Sequence, residues 1–302
     1  MNPVHTLLRQ SIDYAGLFPP AGLGMSPAVQ NYIRYRAGVD AWALGRFVVP
    51  ATRLAELEKS AADVSAPGEH ARLQLSVLVG PDVSGDLARI AAFQSRQAGL
   101  ERITVDMIET KAETSSIIQD TMHQVPPRLP VFFELPIEKD PADLLAAVVA
   151  ASAGAKVRTG GVTREAFPST ANLARFIRAC VQARVPFKAT AGLHHALRAE
   201  YRLTYEENSA EARMFGFINL FLATALARDG LAEPDIRGIL EESSPDAFRL
   251  ENGAITWRDC RLDQKALERS RETMVSFGSC SFTEPITELQ SLHWLSASVQ
   301  RA

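Results

Sequence analysis

Two lysines interrupt apolar runs in ways that could serve covalent chemistry: Lys156 in AKVRTGG (155–161) and Lys188 in KATAG (188–192). Arg158 stands two residues after Lys156, so in an extended strand the two cations share a face. If that face is confined, burial and neighbouring positive charge both disfavour the ammonium form. Lys188 on an adjacent strand would add to the effect. A neutral amine is what a Schiff-base nucleophile requires, so the spacing predicts a depressed lysine pKa and an imine. The plainer alternative is that each lysine reaches solvent or pairs with Glu134 or Asp106. Glu134 breaks the run VFFELP and is read either as an acid/base group or as a partner of Lys156. Asp106, inside TVDMI, is read as a proton relay beside a lysine, and Glu109 as the start of the loop that follows.

Three short turns are built to approach an anion. Thr159-Gly160-Gly161, Thr190-Ala191-Gly192 and Gly278-Ser279-Cys280-Ser281 are small and hydroxyl-bearing, which lets backbone N–H groups come close to a ligand. The last leads into a helix expected near Thr283-Glu284-Pro285, whose N-terminus favours negative charge. His194 and His195 could bind a substrate, act as acid and base, or ligate a metal, but no matching carboxylate spacing accompanies them. Cys280 has no adjacent base and is read as a packing residue. Asp13, Tyr14 and Arg46 could serve substrate selection or barrel structure, and the sequence does not decide between these.

These residues need elements to hold them. Eight candidate strands follow one another at 10–18, 42–49, 73–79, 102–109, 130–136, 154–159, 186–192 and 274–281. Several are apolar on both faces, as parallel strands covered on each side should be. Amphipathic helices lie between them. Leu173, Phe176, Ile177, Cys180 and Val181 form one stripe, and Leu144, Leu145, Val148 and Val149 another. Ser26-Pro27 and Asp140-Pro141 each place a capping side chain before a proline suited to the first helical turn. Eight strand–helix alternations predict a closed (β/α)8 barrel in one domain spanning 1–302. Residues 200–273 are too long for one crossover helix. They read as an insertion between strands seven and eight, with an apolar helix at 213–228 and a hairpin, FRLENGAITW, turning at Asn252-Gly253. In such a barrel the site lies at the C-terminal ends of the strands.

Composition narrows the function classes. The 302 residues carry 32 Lys and Arg against 35 Asp and Glu, a net charge of −3, without the basic excess of nucleic-acid binders. No run is long and apolar enough to span a bilayer, and MNPVHTLLRQ lacks the features of a secretory signal. Cys180, Cys260 and Cys280 are scattered, which predicts neither disulfides nor zinc and fits a reducing cytoplasm. No cofactor is expected, and a homo-oligomer is left open.

The order of segments over roughly 100–282 resembles the deoxyribose-phosphate aldolase family, class I aldolases on the same barrel. The pieces that carry the resemblance are VDMI (105–108), VFFELP (131–136), AKVRTGG (155–161), KATAG (188–192) and FGSCS (277–281). It implies that Lys156 forms the carbinolamine and imine, that Lys188 tunes its pKa and that Asp106 moves protons. By the same resemblance Gly192 and Ser279 help hold the anionic end of a small carbonyl substrate. Arg158 departs from the family's serine-type position and adds a cation suited to a carboxylate or second anionic group. Two histidines follow Ala191-Gly192 where the family has Arg-Thr, and residues 1–95 show no likeness. A lyase acting on a small phosphorylated or carboxylated carbonyl compound is therefore the leading expectation. The alternatives are a metal-assisted lyase or isomerase, with Asp106, Glu134 and a histidine on a divalent ion and the lysines as acid and base, or a non-catalytic barrel that binds anions.

Overall fold

The structure, a computed structural model, describes residues 2–62, 72–100, 102–251 and 253–296. In chain order the elements are α1 (Pro3–Leu8), β1 (Ile12–Tyr14), α2 (Met25–Ala37), β2 (Leu44–Pro50), α3 (Leu54–Ala62), β3 (Leu73–Leu78), α4 (Val83–Gln97) and β4 (Ile103–Lys111). Then follow α5 (Ser115–Gln124), β5 (Val131–Glu134), α6 (Ala142–Ala150), β6 (Gly154–Arg158), α7 (Thr170–Ala183) and β7 (Phe187–Thr190). The connection after β7 holds β8 (Ala199–Arg202), β9 (Glu211–Met214), α8 (Phe217–Arg228), α9 (Glu233–Glu241), β10 (Phe248–Glu251), β11 (Ala254–Trp257), β12 (Cys260–Leu262) and α10 (Gln264–Thr273). The chain closes with β13 (Met274–Ser279) and α11 (Thr283–Ser291).

Eight strands close into a parallel barrel in the order β1-β13-β7-β6-β5-β4-β3-β2, the (β/α)8 architecture expected from the sequence. Period-two alternation decides what the lumen receives. In β7, Phe187 turns outward and packs edge-on against Phe176 of α7, which leaves Lys188 facing inward. In β5, Phe132 faces the lumen, with the Lys188 ammonium 5.8 Å from its ring centre. Beneath α7 the expected stripe holds at Leu173, Phe176, Ile177 and Cys180, which are buried, whereas Val181 is only half-buried. In α6 only Leu145 and Val148 are buried, and Val149 is half exposed because that helix presents a narrower face to the barrel.

Two expected caps differ. Ser26 sits inside α2, whose N-cap is Gly24. Pro141 is itself the N-cap of α6, while the Asp140 carboxylate accepts the Ala142 N–H.

The long β7-to-β13 connection is where the expected insertion lies, and it is richer than the sequence suggested. The stretch expected to open a helix at 213 is instead β9, paired antiparallel with β8. Its alternating pattern EARM, with Ala212 and Met214 buried, suits a half-buried strand. Helix α8 then starts at Phe217 and buries every residue from Phe217 to Leu226, because the barrel, α7, α9 and α10 surround it. Phe217 stacks on Phe277 of β13 at 5.0 Å, so this helix covers the seam between the last two barrel strands. The hairpin pairs Phe248 with Trp257 and Glu251 with Ala254 as expected, and β12 adds a third strand. Of its turn, Gly253 adopts φ +81°, whereas Asn252 lies outside the described residues. Among the described residues no helix is long and apolar enough to cross a membrane.

Candidate functional site

Strand register brings the two lysines side by side. Lys156 of β6 is aligned with Lys188 of β7, and Glu134 of β5 with Lys156. Glu109 of β4 lies between both amines. Its Oε2 is 2.8 Å from Lys156 Nζ, and its Oε1 takes Lys188 Nζ and the Ser76 hydroxyl as donors. Glu134 Oε2 is 3.0 Å from Lys156 Nζ, and its other oxygen faces Arg158 at 3.3 Å. On the far side Asp13 Oδ2 accepts from Lys188 at 2.7 Å and from the Ser276 hydroxyl at 2.7 Å. The result is a continuous belt: Asp13, Lys188, Glu109, Lys156, Glu134, Arg158. Three carboxylates balance three cations, and all but Arg158 are buried or nearly so.

The balance reverses one expectation. Burial alone would lower the Lys156 pKa, but attraction to Glu109 and then to Glu134 outweighs it, so the Lys156 pKa is raised. The sequence shows the cations Lys156, Arg158 and Lys188 close together; the carboxylates between them come from other strands. Burial would likewise raise the Glu109 pKa, yet the charges of Lys156 and Lys188 hold it well below the usual carboxylate range. Glu134 is lowered too, its burial overcome by Lys156 and Arg158.

Asp106 does not join the lysines. The β3–β4 register slips at this point, pairing Leu75 with Val105 and Ser76 with Met107, so Asp106 is the extra residue of a bulge. Its carboxylate meets Arg46 at 3.3 Å and the Thr104 hydroxyl at 3.0 Å, nearer the N-terminal ends of the strands. After the bulge Met107 and Glu109 face the lumen, and Glu109, expected merely to open a loop, takes the place expected of Asp106. In a regular strand residues three apart cannot share a face, and only the bulge explains the exchange. Asp13 also joins the belt, and its Oδ1 accepts the Arg46 N–H at 2.7 Å.

Above the belt lies a cavity of about 310 Å3 bounded by Asp13, Glu109, Lys156, Arg158, Lys188, Thr190, His194, Gly161, Gly278 and Cys280, among others. The expected anion turns divide accordingly. Gly161, Thr190 and Gly278 border the cavity, whereas Thr159, Gly160, Gly192 and Ser279 serve the walls behind it. The Thr159 hydroxyl donates to the carbonyls of Thr190 and Ala191, and Ser279 Oγ donates to the Ser281 carbonyl at 2.6 Å. Gly160 packs beneath the Phe167 ring, where a Cβ would collide, and Gly192 holds φ +73° beside it. The N-terminus of α11 is already served from within the chain, because Ser281 Oγ accepts the Glu284 N–H.

His194 is buried, with Nδ1 3.2 Å from Ser279 Oγ and 3.6 Å from Cys280 Sγ. Burial, and then His195, lower its pKa to about 4, so it is a neutral imidazole at pH 7. Burial pushes the Cys280 thiol up to about 11. Cys280 thus does more than pack: it forms part of the cavity wall, with the Tyr205 hydroxyl at 3.4 Å from its sulfur. His195 turns away, stacked on Tyr201 and 3.2 Å from Glu288.

The donor set considered for a divalent ion is not assembled. Asp106 faces Arg46, Glu134 faces Lys156 and Arg158, and the histidines contact Ser279, Cys280 and Glu288. Among the described residues no group of three or more His, Cys, Asp and Glu side chains is placed to hold a metal ion. Comparison with models of protein families, with curated proteins and with solved structures finds no match to this chain.

Proposed function

We propose that this barrel is a class I aldolase-like lyase, making or breaking a carbon–carbon bond in a small anionic carbonyl compound through an imine on Lys156. The observation that carries the reading is the in-register pair Lys156 and Lys188 sharing Glu109 at the floor of a cavity. The segment order that resembles the deoxyribose-phosphate aldolases supports it. Arg158, with half its side chain exposed, is suited to the substrate's carboxylate or phosphate.

The amine becomes nucleophilic by proton transfer rather than by repulsion between cations. When a carbonyl compound enters, the Lys156 ammonium passes a proton to Glu134. The freed lone pair attacks the carbonyl carbon, whose oxygen takes a proton from the Lys188 ammonium. The attacking nitrogen gives its second proton to Glu109, leaving a neutral carbinolamine. The hydroxyl then takes the Glu134 proton and departs as water, and the nitrogen lone pair forms the iminium. That cation draws the electron pair of the neighbouring carbon–carbon bond as it breaks, while the leaving half gives its hydroxyl proton to the neutral Lys188 amine and departs as an aldehyde. A proton from Glu109 to the new carbanion equivalent, followed by water addition, releases the second half.

Borohydride trapping tests this. A panel of phosphorylated and carboxylated aldehydes and ketones should leave a reduced adduct whose mass maps to Lys156, absent in Lys156→Arg, which keeps the charge. Because the Lys156 proton passes to Glu134 within the site and not to solvent, the reactive pair keeps the same number of protons across the neutral range. The initial trapping rate should therefore change less than about threefold from about pH 7 to 9, and a roughly tenfold climb per pH unit would show that the proton leaves for solvent instead. No adduct across the panel, or one that survives Lys156→Arg, sinks the imine.

The charged state of Lys156 favours one second reading: the two lysines act as acid and base on an enolisable carbonyl without covalent attachment. Turnover with no trappable adduct would select it.

A further inference from the structure

Two cavities meet at Lys156. The first is the polar one already described. The second, about 540 Å3, opens beyond the C-terminal ends of β3 and β4. Leu78, Glu109, Lys156 and Arg158 border both. Past these shared residues the first continues into Asp13, Lys188, Thr190, His194 and Cys280, and also meets Phe18, Val48 and Val162. The second continues into Val79, Pro81, Val83 and Ile117, with Thr110, Thr121 and Glu134 as further polar members and the exposed Lys111 and Glu113 beside them. Ile117, on the first turn of α5, is 39% exposed, an apolar side chain left open towards this space.

A ligand whose reacting carbon sits at Lys156 has both cavities within reach. Arg158 borders both, so an anionic group next to that carbon meets it whichever way the rest points. Apart from Thr110, Thr121, Glu134 and the exposed Lys111 and Glu113, the larger cavity is lined by aliphatic side chains and adds no buried cation to the shared ones, which suits hydrocarbon and not a second anionic group.

We infer that the second cavity is the subsite for an aliphatic arm, and that the substrate is a 2-oxo acid with its carboxylate on Arg158 and its side chain among Val79, Pro81, Val83 and Ile117. This rests on the proposed imine for the position of the carbonyl, but the arm's binding does not require the chemistry. The polar cavity then takes the hydroxylated half of the cleaved or formed bond.

Straight-chain 2-oxo acids of three to six carbons, titrated against the full chain by calorimetry with borohydride added to parallel samples, test the inference. Each buried methylene should tighten binding about fourfold, on the order of 60-fold from the three- to the six-carbon acid. Ile117→Trp, at an exposed helix position, and Val83→Trp should each fill the subsite and collapse that ratio below about threefold. A flat series in the native chain, binding of none of the acids, or a length preference that survives both tryptophans overturns the subsite. Length-dependent binding without any Lys156 adduct upholds the subsite and overturns the imine, and an adduct with a flat series does the reverse.

Discussion

The lumen of this barrel holds two sets of ion pairs that look alike in sequence and differ in setting. Towards the C-terminal ends of the strands, Asp13, Glu109 and Glu134 alternate with Lys156, Lys188 and Arg158 beneath a cavity. Nearer the N-terminal ends a single pair, Arg46 and Asp106, stands 3.3 Å apart with both side chains at least one-fifth exposed. The upper set has shed water, so each charge depends on its partners and the pKa values of Lys156, Glu109 and Glu134 shift. The lower pair keeps contact with solvent, where such attraction is screened. Arginine occurs in both sets, lysine only in the upper one. The upper belt uses two amines, which can lose a proton and act as nucleophiles, and the lower pair uses a guanidinium, which cannot.

The largest expected contrast comes from removing one carboxylate at each level. Glu109→Gln leaves the two buried ammonium groups one carboxylate each, Glu134 and Asp13, and one positive charge unbalanced in the belt, and should cost about 3–5 kcal/mol in chemical denaturation. Asp106→Asn should cost less than about 1 kcal/mol and leave borohydride trapping at Lys156 intact. Equal losses would erase the distinction between the two sets.

The cavity wall offers the next effect. His194 binds its proton less tightly in the fold than in the open chain, its pKa falling from 6.5 to about 4. The unfolded chain therefore takes up protons first, and stability falls as pH drops from about 6.5 to 4, by roughly 3 kcal/mol. His194→Gln should flatten that part of the stability profile, and an unchanged slope would place the titrating group elsewhere.

The smallest effect separates the belt from ordinary surface charge. Glu109 is depressed, so its contribution is complete above its ordinary 4.5 and is lost as pH falls through its lower folded value. Lys156 is raised, so its contribution is complete below 10.5 and is lost as pH climbs past its higher folded value. Between those limits the belt's contribution should be level, and at pH 7 adding salt should shift the melting temperature little, because a buried network is poorly screened.

Local pattern carried most of the architecture. Eight strands, the α7 stripe and the 248–257 hairpin follow from periodicity and turn chemistry, which depend only on neighbours in the chain. The β8–β9 hairpin did not, because its short strands are polar and lead straight into a helix so apolar that the pattern runs together at 213–216. The Ser26 cap failed as well: α2 begins at Met25, two residues before the start that Ser26-Pro27 implies, with Gly24 as its N-cap. At the site, Lys156, Lys188, Glu134 and Arg158 were legible as charged residues in strands that otherwise read as buried. Glu109 and Asp13 were not assigned, and Asp106 was placed wrongly, because a bulge leaves no mark in TVDMIE.

What the sequence by itself determined was a barrel with two lysines on neighbouring strands, since the alternation of strand and helix sets the order of β6 and β7; it left open whether they turn inward. What only the tertiary structure decided was their charge. An amine's protonation depends on every group within a few ångströms, and the carboxylates that hold Lys156 come from β4 and β5, as much as 47 residues away in the chain. Coulomb attraction acts through space, and only folding set those distances.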